Sequence, residues 1–373
     1  MKLFEYMGKE LFAKYGITVP KGKVATTPEE AVQIAADIVG GPCVIKSQIL
    51  SGKRGKGGGI KFSDDAAGAG EGAKAILGMN LNGYVVDTVL VEEKLKIEKE
   101  YYLAITIDRK TRKPIILASI HGGMDIEEVP EEGIVKYYVD YSIGVMPFVA
   151  KDVVRRMGLS VSSVEGKKIA DILVKLYNAF VGLDAELAEI NPLVISGDNV
   201  IAADAKVTID DAAIYRHKEI PYVEERTDSE KKAKDLGLAF VDLDGDIGVM
   251  ANGAGITMAT LDTLQYYGGS AANFLDAGGG AGVEATAKAL ELILSKNPKA
   301  IIINIFGGIT RCDDVATAFA TVKKQMDIKV PVVIRLVGTN QEKGREILKE
   351  VGIDAYDTMH EASAKAVELA KQG

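Results

Sequence analysis

The sequence predicts an α/β protein of two domains, the second built on a parallel sheet. Three observations carry this. Across residues 247–338 a strand, a glycine-rich turn and a helix recur as a unit, and the strands are continuous apolar runs of the kind covered on both faces. The first half mixes strands and helices without that regularity. Between the halves, eleven of the eighteen residues 218–235 are charged and Pro221 interrupts them, as in a linker or a solvated connecting helix.

In chain order, Leu3, Met7, Leu11 and Tyr15 fall at helical spacing among Glu5, Lys9, Glu10 and Lys14. This reads as an amphipathic helix ended by Gly16, not a signal peptide. A short strand follows at 23–26. Thr27, Pro28 and Glu30 then supply an N-cap, a proline at the first helical position and a capping-box glutamate. That helix runs to Val39 and stops at Gly40-Gly41. Strands at 43–49 and 60–62 flank a glycine-rich stretch, and a helical segment lies near 66–78. Residues 101–108 and 114–120 form a hairpin around a basic turn. Ser162 with Glu165 caps a helix whose Ile169, Ile172, Leu173, Leu176 and Phe180 make one apolar face. In the second half the strands are 247–252, 272–276, 300–306 and 330–337. Val283, Ala287, Leu290 and Leu294 give the helix after the second strand a core face. The turns at Gly253-Ala254-Gly255, Gly278–Gly282, Gly307-Gly308 and Gly338 stand at the carboxyl ends of strands, where such sheets bind ligands.

Composition narrows the function. Lys and Arg number 45 against 53 Asp and Glu, a formal charge of −8 over 373 residues. That balance argues against a nucleic-acid or anionic-membrane binder. No apolar run approaches the ~18 residues of a membrane helix. The cysteines, Cys43 and Cys312, form no CxxC, so neither a zinc ribbon nor a disulfide framework is expected. A reducing compartment follows, the cytoplasm or a matrix. The 40 glycines cluster, which suggests tight loops that approach ligands.

The strongest local signal is residues 52–59, in which Lys53, Arg54 and Lys56 share eight positions with five glycines, Gly55 among them. Glycines let backbone N–H groups approach phosphate oxygens, and the cations balance charge. A Walker A loop would need Ser or Thr after Gly-Lys and then a helix. Here a strand follows, so the picture is a strand–loop–strand flap over nucleotide phosphates; a solvated hairpin tip would share the composition. Lys46, on one pleat face with Val44 and Gln48, favours the flap, because a lysine in so apolar a strand needs an anionic partner.

A second constellation pairs Glu189-Ile190-Asn191 with Asp204-Ala205-Lys206 across a Gly197-Asp198 turn. Pairing Ser196 with Asn199 sets the register, so Asn191 faces Asp204 and Glu189 faces Lys206. An amide oxygen and a carboxylate converging suit Mg²⁺. A polar outer hairpin face would look similar, and Pro192 warns of a bulge. Glu92 and Glu100 border a strand end that could present acceptors to a nucleotide. Asn252-Gly253-Ala254-Gly255 with Asp276 resembles a dinucleotide fingerprint, but Met258 stands where close helix packing needs Gly or Ala. His121, His217 and His360 sit in no nucleophile pattern, and Cys312 reads as buried packing.

Taken together, Met1–Gly16, Gly41-Pro42 with Lys46, Arg54-Gly55-Lys56, Glu189-Ile190-Asn191-Pro192-Leu193, Asn252-Gly253-Ala254-Gly255, Ala272–Asp276 and Asn304–Ile309 resemble the β subunits of succinyl-CoA synthetases (succinate–CoA ligases) over essentially the whole chain. The resemblance implies an N-terminal ATP-grasp domain, residues 1–225, followed by a flavodoxin-like CoA-ligase domain, residues 240–373. It implies Mg²⁺ and ATP/ADP as ligands, and an α-subunit partner that binds CoA and supplies a phosphorylated histidine. By the same resemblance Lys46, Lys53, Arg54 and Gly55 hold phosphates, and Glu92, Leu95 and Glu100 contact the nucleotide. Asn191 and Asp204 ligate Mg²⁺, Glu189 faces the histidine, and Asn252, Gly308, Ile309 and Thr310 meet succinate. Lys53, Leu50-Ser51 and Leu95 depart from the usual family residues around the nucleotide; Pro20 leans to ATP over GTP. A malate–CoA ligase β subunit and a non-catalytic nucleotide-binding assembly subunit are the alternatives.

Overall fold

A computed structural model of the chain describes residues 1–50, 54, 55, 57–81, 83–224, 226–278, 283–308, 310–326 and 328–372. The chain divides into two compact units, Met1–Glu225 and Arg226–Gly373.

The first unit opens with α1 (Glu5–Lys14), which buries Met7, Leu11 and Phe12 in the unit's main core and ends at Gly16, φ 78°. Next come β1 (Gly22–Ala25), α2 (Pro28–Ile34), β2 (Cys43–Ser47), β3 (Ile60–Ser63), α3 (Ala66–Ile76), a hairpin of β4 (Asn80–Leu81) and β5 (Tyr84–Val85), and β6 (Val89–Glu93). Thr27 caps α2 as expected, its hydroxyl accepting from Glu30 N. The Glu30 carboxylate reaches one residue further back than a capping box requires, to Thr26. The sheet order is β1-β6-β2-β3, all antiparallel. Ala31, Ile34, Ala69, Ala73 and Ile76 of the two helices pack with Cys43, Ile45, Val89 and Val91 on one face. Period-2 alternation leaves Val44, Lys46, Leu90 and Glu92 on the other.

A second sheet is built from β7 (Lys99–Asp108), β8 (Lys113–Ser119), β9 (Val135–Tyr138), β10 (Ala185–Ser196), β11 (Asn199–Ala202) and β12 (Lys206–Ile209). Its order is β11-β10-β7-β8-β9, with β12 also on β10. Between β9 and β10 run α4 (Pro147–Arg156) and α5 (Val164–Gly182). Ile169, Leu173 and Leu176 of α5 share a core with Leu103, Ile105 and Ile116 of the sheet. The cap of α5 is Ser163, not Ser162: its Oγ accepts from Gly166 N at 3.0 Å, while Ser162 bonds the Ser160 hydroxyl. Glu165 turns away from the cap to Lys99 and Tyr101.

In the second unit the elements are α6 (Asp228–Asp235), β13 (Ala239–Asp242), β14 (Ile247–Ala251), α7 (Ala254–Tyr266), β15 (Asn273–Asp276), α8 (Val283–Leu294), β16 (Ala300–Gly307), α9 (Cys312–Gln325), β17 (Val332–Gly338), α10 (Gln341–Glu350), β18 (Ala355–Tyr356) and α11 (Met359–Gln372). The sheet order is β13-β15-β14-β16-β17-β18, and only the edge pair β13–β15 is antiparallel. Without β13, the strands run 2-1-3-4-5 in their own chain order. That is the flavodoxin-like doubly wound arrangement. α8 and α9 belong to the core on one face, α7 and α11 to that on the other. Two expectations are corrected here. The charged stretch does hold a helix, α6, opened by a capping box of Thr227 and Glu230, but it is not wholly solvated: Ala233 is fully buried and clusters with Leu238 and Phe240. Of the expected core face of α8, Leu290 is fully buried and Ala287 and Leu294 pack partly buried against the same core, but Val283, in the first turn, is exposed, and Ala289, Leu292 and Ile293 complete the face.

Candidate functional site

In the first unit β2 carries Lys46 to the glycine-rich loop and β3 returns from it. Ser47 N donates to Gly59 O and Gly59 N to Arg54 O, closing the loop's ends on each other. The Arg54 guanidinium folds back onto Ser47 O at 3.1 Å. α1 lies close to the segment leading into β12. Gly8 permits this approach, since a Cβ there would stand 3.1 Å from the Ala205 Cβ. Glu5 and Lys9, one helical turn apart, are thereby buried beside Lys46 and Glu92.

These four side chains close a ring of alternating charge. Lys9 Nζ is 2.7 Å from Glu5 and 2.6 Å from Glu92; Lys46 Nζ is 3.0 Å from Glu5 and 2.5 Å from Glu92. Arg54 joins it to Asp204, at 2.6 Å from Glu5 and 3.0 Å from Asp204. Three cations meet three carboxylates. Burial opposes charge on both Glu5 and Lys46, but the partners outweigh it. Lys46, Lys9 and Arg54 hold the Glu5 carboxyl well below its usual range, and Glu5 and Glu92 hold the Lys46 amine above its own. Lys46 also donates to Ala203 O at 2.8 Å, so all three of its N–H groups have protein acceptors. Sequence reasoning placed Glu5 and Lys9 on an ordinary polar helix face. Their i, i+4 spacing was the only available signal.

The hairpin register is as expected: Ser196 opposes Asn199 and Glu189 opposes Lys206. In the gap between these ladders Ala203 N donates to Pro192 O, so Asn191 stands across from Asp204. The expected irregularity falls on the β7 side, where the pairing of β10 shifts between Ile190 and Leu193; the Asn191-Pro192 bond is cis. Asn191 Oδ1 accepts from Gly123 N at 2.8 Å and its Nδ2 donates to Met124 O at 2.9 Å. Asp204 Oδ1 accepts from Ala205 N at 2.7 Å.

A cavity of about 600 Å³, ample for a nucleotide, opens here, lined by Arg54, Gly55, Glu189, Asn191, Asp204 and Lys206. Glu5, Asp125, Glu127 and Glu128 also reach it. Six carboxylates line it against Lys2, Arg54 and Lys206, so a cation bound with a phosphate would offset the excess negative charge. The oxygens of Asn191 and Asp204 suit a hard divalent ion. Among the described residues no trio of His, Cys, Asp or Glu forms a metal cage, so such an ion needs further oxygens from substrate and water. Glu189 accepts a hydrogen bond from the Tyr102 hydroxyl at 3.0 Å. Burial raises its pKa, Asp204 and Glu127 add to the rise, and Lys206 and Tyr102 oppose it. Tyr102 had no sequence signal.

The other expected nucleotide residues lie around this cavity rather than on its wall. Lys46 and Glu92 belong to the ring. Leu95 packs on Val194, Ile201 and Ala203. The Glu100 carboxylate lies against Gly123, where a Cβ would be 2.7 Å from Oε2, so Glu100 and Asn191 meet the same loop. Lys53, with Gly52 and Lys56, lies outside the described residues.

In the second unit the topological switch point lies between β14 and β16. Asn252, just after β14, bonds the Phe306 backbone twice: Nδ2 donates to the carbonyl and Oδ1 accepts from the N–H, each at 2.9 Å. Gly308 is exposed at the end of β16, its carbonyl accepting from Thr339 Oγ1 at 3.1 Å, and Thr310 is buried beyond it. The fold thus brings Asn252, Gly308 and Thr310 to one carboxyl edge; Ile309 is outside the described residues. Asp276 does not await a ribose. It accepts from Gly253 N at 2.6 Å and Gly278 N at 2.8 Å, pinning two turns. His217 pairs with Asp184 and His360 with Tyr267, and Cys312 is fully buried.

Two family models match the chain, an ATP-grasp domain at residues 2–195 and a CoA-ligase domain at 250–369. Fold and site together define an ATP-grasp acid–CoA ligase chain. The ADP-forming succinate–CoA ligase β subunit of Herpetosiphon aurantiacus is 44% identical over 380 residues, covering 100% of both chains. Those of Aquifex aeolicus and Methanothermobacter thermautotrophicus are 44% identical over 388 and 375 residues, with the same coverage. The chain belongs to the family of ADP-forming succinate–CoA ligase β subunits. Among solved structures, ATP citrate lyase from Methanothrix soehngenii in complex with citrate and coenzyme A shares the fold at 20% identity. Its TM-score is 0.67, over 98% of this chain and 99% of that one.

Proposed function

We propose that the chain is the nucleotide-binding subunit of a ligase that interconverts ATP, succinate and CoA with ADP, phosphate and succinyl-CoA. It works with an α subunit that carries CoA and a phosphorylated histidine. Residues 1–225 form the nucleotide domain and 240–373 the CoA-ligase domain, in the cytoplasm. The observation that carries the reading is the acidic cavity in which Arg54 and Gly55 adjoin the opposed Asn191 and Asp204.

Lys46, Lys53, Arg54 and Gly55 orient the phosphates, Leu95 and Glu100 contact the nucleotide, and Glu92 serves the nucleotide site from the ring as a partner of Lys46. Asn191 and Asp204 hold Mg²⁺, which supplies charge neutralisation during phosphoryl transfer. Glu189, kept in place by Tyr102 and Lys206, stands opposite the histidine of the α subunit. Asn252 and the Gly308-Ile309-Thr310 turn receive the succinate carboxylate at the switch point. The experiment is reconstitution. The chain alone binds Mg-ATP and makes no acyl-CoA. With an α subunit it makes succinyl-CoA in preference to malyl-CoA, and label from γ-³²P ATP appears on the α chain. Acyl-CoA synthesis by this chain alone, or label held on His121, His217 or His360, overturns the reading.

A further inference from the structure

Lys46 has no N–H to spare. Its three donors go to Glu5, Glu92 and Ala203 O, so a phosphate oxygen gains this ammonium only when one of them is given up. The two carboxylates are 4% and 3% exposed, and a carboxylate that deep needs a cation at all times. Lys9 meets both of them. It shares Glu5 Oε1 with Lys46, and on Glu92 it holds Oε2 while Lys46 holds Oε1. When Lys46 turns away, Glu5 keeps Lys9 and Arg54, and Glu92 keeps Lys9. Without Lys9, Lys46 would be the one cation left on Glu92 among the described pairings, and would be locked there.

We propose that Lys9 is a positioning residue of the nucleotide site, a resident counter-ion that lets Lys46 exchange a carboxylate for a phosphate oxygen without stranding Glu5 or Glu92. The inference rests on the reading above that Lys46 meets nucleotide phosphate. The geometry gives Lys9 no contact with the nucleotide, because it is 4% exposed and absent from the cavity wall. It acts through Lys46. Gly8 belongs to the same device, since its missing Cβ is what lets α1 seat Lys9 and Glu5 this deep.

The test separates charge from packing. Methionine is the closer fit to a buried lysine stem, whereas arginine is bulkier but keeps the cation. A packing role therefore ranks Lys9→Met above Lys9→Arg, and a counter-ion role ranks them the other way. Titration of the full chain with Mg-ADP in a calorimeter is expected to show Lys9→Met at least tenfold weaker than the wild type and Lys9→Arg within about threefold. The KM for succinate, measured with the α subunit, is unchanged in both. Should Lys9→Met not fold, Lys9→Met with Glu5→Gln restores the balance of charge while leaving Glu92 to Lys46 alone. It too is expected to bind at least tenfold more weakly. Wild-type affinity in either methionine variant, or tighter binding by Lys9→Met than by Lys9→Arg, overturns the inference. A wild-type chain that does not bind Mg-ADP overturns the underlying nucleotide reading instead.

Discussion

Tyr102→Phe removes one oxygen from beside the cavity and nothing else. The ring is 2% exposed, and phenylalanine fills the same space. What goes is the 3.0 Å hydrogen bond to Glu189 Oε2. Burial, with Asp204 and Glu127, already lifts the Glu189 pKa, and Lys206 and Tyr102 are what restrain it. A hydrogen bond to an ionised group contributes about 1.5–3 kcal/mol. Only its difference between the ionised and neutral acid moves a pKa, and one unit corresponds to about 1.4 kcal/mol. A further rise of about one unit follows. If the ionised carboxylate is the form that serves opposite the histidine, activity is lost as pH falls through this pKa. The acid limb of the kcat profile, measured on the reconstituted complex, should therefore move about one unit to higher pH, with the plateau little changed. Stability has a matching sign. A carboxyl whose folded pKa lies above its unfolded value stabilises the fold at low pH and loses that contribution as pH rises through the folded pKa. The variant should accordingly be more destabilised at neutral than at acid pH. An acid limb that stays put, or moves to lower pH, refutes the reasoning.

Asp204→Asn should weaken the Mg²⁺ dependence of nucleotide binding by about an order of magnitude with the fold intact; calorimetry at varied Mg²⁺ reads this, and unchanged dependence contradicts the assignment. Glu5→Gln leaves Lys9, Lys46 and Arg54 facing two carboxylates, and should cost about 3–5 kcal/mol at neutral pH. Because the Glu5 pKa is depressed, its stabilisation is complete above the unfolded pKa and is lost as pH falls through the folded one. Melting temperature against pH should therefore be flatter in the acid range for the variant. Asn252→Ala deletes two bonds between the ends of β14 and β16 and should raise the KM for succinate several-fold while leaving Mg-ADP affinity alone; a change in the latter with no change in the former would reverse the assignment of the two sites.

The parts of this molecule governed by short-range rules were legible in its sequence. The Gly197-Asp198 turn set a register that holds without a slip from Ser196 back to Glu189, and so placed Asn191 across from Asp204. The apolar strands and glycine turns of the second half located β14, β15, β16 and β17 within a residue or two. Strand neighbours were a different matter. Periodicity does not record that β15 lies outside β14, nor that β13 closes the edge antiparallel. The ring was illegible for a related reason. On a helical wheel Glu5 and Lys9 look like Glu10 and Lys14, which are exposed. Only the long-range approach of β2 and β6 to α1 makes the first pair interior. The same holds for Tyr102, whose hydroxyl finds a partner 87 positions away.

The leading residues of a chain are the usual place to trim, tag or fuse. Here that habit would be mistaken. Leu3 N donates to Val207 O at 3.0 Å, and the ten residues of α1 follow at once. Shortening the chain past Lys9 would take away no strand. It would still remove Glu5 and Lys9, two of the six charges of the network that includes Lys46, and uncover the rest, so a trimmed protein could keep its sheets and lose its ligand. In this fold α1 is an interior part, and anything fused on its N-terminal side needs a spacer long enough to leave the helix seated.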